Sequence, residues 1–132
     1  MRNDPCALTA VITDIFLWIA GVACTIGTIV LSLVPAEVLA GVSASDKLLH
    51  ASAYAAITCC FLLAAVWRPG RGNGVFPRSA PIILGCAAGM GVAIEFIQMG
   101  FDRHADLRDA LADGAGILAV WGVWLAIRRR LA

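Results

Sequence analysis

Residues Glu95 to Gly116 read E-F-I-Q-M-G-F-D-R-H-A-D-L-R-D-A-L-A-D-G-A-G. The stretch carries Glu95, Asp102, Asp106, Asp109 and Asp113, five of the nine acids in the chain, with Arg103, His104 and Arg108 among them. Long apolar runs flank it on both sides. Ile82 to Met99 is interrupted by one charge, Glu95, and Gly114 to Ile127 by none. A helix rises 1.5 Å per residue, so about 20 apolar residues cross the roughly 30 Å hydrocarbon core of a bilayer. Both runs therefore read as membrane spans. Glu95 and Asp113 then lie inside spans, where a lone carboxylate costs roughly 3 kcal/mol unless it is paired or wetted. The other spans are expected to be arranged so as to shelter them.

Composition agrees. The chain has 132 residues, enough for one domain, and 61% of them are hydrophobic; the mean hydropathy is +0.87. Charged residues make up 14%, well below the roughly 25% of soluble domains, and a core this small could not hide so many apolar side chains. The net charge of +1, with no basic cluster among aromatics, excludes a phosphate-tracking surface and so nucleic acid as a partner. Of the five cysteines, Cys24, Cys59, Cys60 and Cys86 sit in apolar runs without metal or redox spacing and read as small hydrophobes.

Taken in order, the chain divides into four spans. The first covers about 10–34, apolar except for Asp14 and scattered hydroxyls, and is closed by Pro35. A cleaved signal peptide ending near Ser45 is the competing reading, but this run is longer than a signal core and lacks its basic leader. Asp14 is expected near the membrane edge, in solvent. The second span, about 47–67, opens at Ser45-Asp46, two residues able to cap free N–H groups. Asp46, His50 and Tyr54 follow at four-residue steps, and Lys47 stands three before His50, so one helical face carries a polar stripe. Arg68 to Ala80, with three Arg, two Pro and three Gly, reads as a loop. The third span, about 81–101, contains Gly85, Gly89 and Ala93 at small-x-x-x-small spacing, which lets helix backbones approach and offers a face for self-association. Glu95, Gln98 and Asp102 share a face near its end. The fourth span, about 108–127, has Asp109, Asp113 and Gly116 on one face and ends at Arg128, Arg129 and Arg130. The fold class that follows is all-α: a four-helix transmembrane bundle forming one domain over 1–132.

Four spans put both termini and the Arg68–Ala80 loop on one side. That side holds seven of the ten basic residues; Lys47, Arg103 and Arg108 are on the other. The positive-inside rule favours both termini in the cytoplasm. The start of span two, the end of span three and the start of span four then meet at the outer surface. Asp46, Lys47, His50, Glu95, Gln98, Arg103, Asp109 and Asp113 converge there at one depth, and Tyr54 joins the cluster from the same face of span two.

The same residues carry a family resemblance. S-D-K-L-L-H-A-S-A-Y, then E-F-I-Q with Arg103, Asp109 and Gly116 downstream, and L-S-L-V-P before the first loop, resemble the VanZ-like family of small bacterial membrane proteins. Those proteins open one span with Asp-Lys-x-x-His and close another with Glu-x-x-Gln. An Arg follows, then Asp-x-x-x-Asn-x-x-Gly opens the last span. The resemblance covers roughly Leu31 to Trp121. It implies that Asp46, Lys47, His50, Glu95, Gln98, Arg103 and Asp109 are the family's polar positions, whereas Asp113 stands where Asn is usual. It also implies a helical inner-membrane protein in a family whose founder is linked to teicoplanin resistance, and it supplies no reaction.

Three functional readings follow from the cluster. In the first, it takes a lipid-linked or glycan head group from the outer leaflet, Lys47, Arg103 and Arg108 meeting phosphate and the carboxylates meeting hydroxyls or amines. In the second, it is a structural clasp that pairs buried charges to fix helix packing. In the third, His50 with Asp46 or Glu95 acts as an acid/base pair, or His50, Glu95 and Asp109 hold a metal. The chain has no nucleophile motif, no H-E-x-x-H and no Gly-rich phosphate loop, so the expectation is a binding protein without metal or cofactor.

Overall fold

The computed structural model describes residues 5–34, 46–67, 77–100 and 106–131, with side chains for all of these except 5–7, 46 and 131. Four helices account for almost all of them: α1 (Pro5–Leu33), α2 (Asp46–Trp67), α3 (Ala80–Gln98) and α4 (Leu107–Leu131). Each is long and apolar enough to cross a membrane.

The ends differ from the sequence expectation for identifiable reasons. α1 begins at Pro5, a proline at the helix start where its missing N–H costs nothing. Asp14 is thereby carried about nine residues, roughly 14 Å, along the helix. It is half-buried, and its Oδ1 is buried with no hydrogen-bond partner among the described residues, so it is not the solvated edge residue expected. α3 closes at Gln98, three residues early, where the Gly100 N–H donates to the Ile97 carbonyl (2.9 Å) and tightens the last turn. α4 continues to Leu131 because Arg128, Arg129 and Arg130 place positive charge at the negative end of the helix dipole. Asp106 caps its start: Oδ1 accepts from the Arg108 N–H at 2.9 Å.

The distribution of side chains is inverted relative to a water-soluble protein. Ile19, Leu48, Phe96 and Leu118, one from each helix, are exposed. Ser32, Thr58, Glu95, Gln98 and Asp113 are buried. Apolar faces this continuous would aggregate in water, whereas hydrocarbon is their natural solvent. Hydroxyls in the first span are satisfied within the helix, Thr25 donating to the Gly21 carbonyl and Thr28 to the Cys24 carbonyl, both at 2.8 Å. The chain is a multi-pass membrane protein.

α2 is the centre of the bundle. It packs extensively on α4 along one side and on α1 along the other; α3 leans on α4 and α2, and α1 and α4 share no contact among the described residues. Two glycines set these distances. A Cβ added at Gly116 of α4 would collide with the Ala51 carbonyl of α2 and reach its carbonyl carbon at 2.9 Å. A Cβ at Gly21 of α1 would stand 2.9 Å from the Phe61 ring of α2, which Trp18 meets edge-on at 5.1 Å. The small-residue stripe expected to bring helices together does not do so within the chain: nothing lies within 4 Å of a Cβ added at Gly85 or Gly89. Both are exposed, on the side of α3 turned away from its neighbours. A small core of Tyr54, Ala87 and Ile117 joins α2, α3 and α4 below the polar end.

Gly116→Ala is expected to destabilise the bundle by about 2 kcal/mol through overpacking against backbone that cannot yield. Gly122→Ala, where a Cβ meets nothing, should be neutral or mildly stabilising through helix propensity. Thermal melting of the two variants in one detergent checks this; equal behaviour would contradict the close α2–α4 approach.

Candidate functional site

α2 and α4 run in the same direction, and their polar residues meet in register. Lys47 Nζ donates to Asp109 Oδ1 at 3.2 Å and lies 3.5 Å from Asp106 Oδ2. One turn deeper, His50 Nδ1 is 2.9 Å from Asp113 Oδ1. Ala51 then meets Gly116. The steps Lys47, His50, Ala51 on α2 and Asp109, Asp113, Gly116 on α4 are helical spacings of one face each, which is why the ladder closes at every level. Which of the two donates follows the His50 tautomer: an ionised carboxylate only accepts, so opposite one Nδ1 must carry the hydrogen.

The rungs differ in solvation. Lys47 is about half exposed, at 52%, whereas His50 and Asp113 retain only 12% and 4% of their side-chain exposure. The upper rung is therefore a screened surface pair and the lower a buried pair. At the end of the ladder, Asp106 holds its carboxyl below the ordinary carboxylate range. The main cause is the Arg108 N–H it accepts, and Lys47 contributes further.

α3 contributes differently. Glu95 is buried, its Oε2 accepting the Asp106 N–H at 2.9 Å, and its Oε1 is buried with no hydrogen-bond partner among the described residues. Gln98 donates to the Ser32 carbonyl of α1 at 2.8 Å, so all four helices reach this end of the bundle. Gly91 faces the lower rung: a Cβ there would stand 2.8 Å from Asp113 Oδ2 and 3.4 Å from the Tyr54 hydroxyl. The Tyr54 hydroxyl is itself buried without a partner among the described residues. Beside Glu95, a cavity of about 350 Å³ opens between α3 and α4, lined by Val92, Glu95, Phe96, Met99, Leu107 and Ala110. Among the described residues, Glu95 is its one ionisable wall.

Lys47, His50, Tyr54, Glu95, Gln98, Asp109 and Asp113 thus gather at one end of the bundle. The side chain of Asp46 and all of Asp102, Arg103 and His104 lie outside the described residues. The depths are revised: the early close of α3 brings Glu95 to within one turn of its helix end, while the start of α4 at Leu107 sets Asp113 nearly two turns in, about 9 Å. Among the described residues, His50, Glu95 and Asp109 do not form a group able to share a metal ion. Asp106 was missed as a site residue although it caps α4, pairs with Lys47 and donates to Glu95; an Asp directly before an apolar periodic run is the signal that marks it. Gly91 and the Ser32 carbonyl carry no sequence signal beyond their neighbours.

No family model, no curated protein and no solved structure matches this chain.

Asp113→Ala, which removes the buried acceptor of His50, is expected to cost about 3 kcal/mol. Lys47→Ala should cost much less, and less still at high salt. Unfolding titrations in detergent at two ionic strengths distinguish them, and equal losses would contradict the burial difference. Acid has a defined effect at Asp106. Its lowered folded-state pKa makes its stabilisation complete above the ordinary carboxyl value of 3.8 and lost as pH falls through the lowered one. Melting curves from pH 7 to pH 3 should therefore fall less for Asp106→Asn than for the wild type.

Proposed function

We propose that this chain is a bacterial inner-membrane protein, with both termini in the cytoplasm, that binds the head group of a lipid-linked or other cell-envelope amphiphile. The site is the end of the bundle where α2 and α4 begin and α3 closes, facing the outer leaflet. The observation that supports this best is the apolar groove between α3 and α4 with a buried carboxylate, Glu95, at one wall and one of its oxygens unpartnered. An acyl chain entering from hydrocarbon would line such a groove, and its polar head would arrive at Glu95. The volume is at the small end of the roughly 300–1,000 Å³ of ligand sites. This role requires no chemical step, and we read the protein as a binding protein.

The placement in the VanZ-like family is likewise a proposal and rests on motif spacing: Asp46-Lys47 with His50, Glu95 with Gln98, then Arg103, Asp109 and Gly116. The orientation rests on the excess of Arg at the termini and the 68–80 loop.

A clasp is favoured by one specific observation, that Lys47–Asp109 and His50–Asp113 both tie α2 to α4. It accounts for those four residues and leaves Glu95 and the groove without a role.

Native mass spectrometry of the detergent-purified protein should show a retained lipid or glycolipid in the wild type that is lost in Glu95→Ala and Arg103→Ala. Wild type that flies without any bound lipid, with variants that unfold instead, would favour the clasp. Orientation is tested separately by a thiol reagent that does not cross membranes. Arg130→Cys should label only after the inner membrane is opened, and labelling of intact spheroplasts would reverse the topology.

A further inference from the structure

The chemistry of the groove narrows the ligand. Resting on the reading above, that this site takes an amphiphile, we propose that the head group it selects carries a primary ammonium, so that the groove prefers amine-bearing lipids to choline or glycerol lipids.

Glu95 retains 8% of its exposure and lines the groove. Its Oε2 takes the Asp106 N–H, and its Oε1 is buried with no partner among the described residues. A buried carboxylate oxygen without a donor is costly, and a ligand that brings a donor there recovers that cost on binding. The other described walls, Val92, Phe96, Met99, Leu107 and Ala110, offer only apolar contact, so among the described residues discrimination between head groups falls to this one side chain.

Charge then chooses the donor. The described carboxylates at this end are Glu95, Asp106, Asp109 and Asp113; the fixed cations are Lys47 and Arg108, and Lys47 already serves Asp106 and Asp109. The surplus of negative charge favours a cation over a neutral hydroxyl and opposes a head group that brings only negative charge. A primary ammonium supplies charge together with N–H donors, a charge-assisted bond to carboxylate. A quaternary ammonium supplies charge and no donor. Arg108, exposed in the first turn of α4, supplies a cation for the phosphate of a zwitterionic head group.

The experiment is native mass spectrometry of the full chain equilibrated with equal amounts of dioleoyl-phosphatidylethanolamine, -phosphatidylcholine and -phosphatidylglycerol. The wild type should retain the ethanolamine lipid about tenfold over each of the others, the discrimination of one charge-assisted hydrogen bond. Glu95→Gln, which keeps the shape and removes the charge, should retain lipid and lose the preference. Ala110→Phe, which fills the groove from α4, should retain none of the three while melting like the wild type. Equal retention of the three lipids by the wild type overturns the ammonium assignment and leaves the groove as a lipid site. A preference that persists in Glu95→Gln also overturns it. Retention of no lipid by the wild type removes the underlying reading itself. The wild-type preference is read without any variant, so a variant that misfolds does not decide the question.

Discussion

The backbone contact between Gly116 and Ala51 governs the architecture. Two helices can run at that distance only if one lacks a side chain at the crossing, and Gly116 is where α4 lacks one. With the crossing set, the residues one and two turns above it have no freedom in what they meet: Asp113 faces His50 and Asp109 faces Lys47. The polar pairs are thus a consequence of the close approach as much as a cause of it. In a bilayer, where lipid tails are as apolar as the helix surfaces, no hydrophobic force draws helices together. Close packing at one point and polar bonds above it are the forces that remain.

The polar end therefore has two parts with different physics. On α2 and α4 the charges are mutually satisfied and hold two parallel helices in register. On α3 the polar groups make single contacts: Glu95 takes the Asp106 N–H on one oxygen only, and the neutral Gln98 donates to the Ser32 carbonyl. α3 also packs less extensively than its neighbours, and its Gly85–Gly89 side meets nothing within the chain. An element held by a few polar contacts beside a rigid pair is where a groove opens with least loss of packing, and the cavity between α3 and α4 lies there.

Much of this was legible in the sequence, and what was not has a physical explanation. The four spans and the stripe Asp109, Asp113, Gly116 follow from helical periodicity and from the cost of charge in hydrocarbon, both of which act locally. The pairing of Lys47 with Asp109 and of His50 with Asp113 was not legible: it depends on the rotation of α2 and α4 about their axes, which the Gly116–Ala51 crossing fixes. Which glycines make contact was not readable. Gly85 and Gly89 have the spacing of an interface and face outward, whereas Gly116 and Gly91, which stand four residues after Ala112 and Ala87 at that same spacing, make the close approaches. Spacing reports that a helix has a smooth face; it does not report which neighbour that face meets. Asp106 had a legible signal, an Asp directly before an apolar periodic run; what residue identity does not show is that its own N–H reaches Glu95.

The two buried carboxylates of this end show what packing alone does not require. Asp113 has an oxygen on His50 and the other against Gly91, and its burial is explained by the seam it closes. Glu95 faces no cationic side chain across its seam: its one bond among the described residues is from the Asp106 N–H at the start of α4, which a glutamine could receive equally well. A charged side chain in that position pays for desolvation without a matching ion pair among the described residues, and a bundle selected only for stability would gain by replacing it. Asp14 is the other carboxylate with a buried, unpartnered oxygen, but it sits on α1 and does not line the groove. The buried hydroxyls of Tyr54 and Thr58 are neutral and so cost less. What distinguishes Glu95 is the combination: an acceptor kept unmet, in a wall otherwise apolar, beside space that hydrocarbon can enter. That combination makes sense for a group whose partner arrives from the membrane.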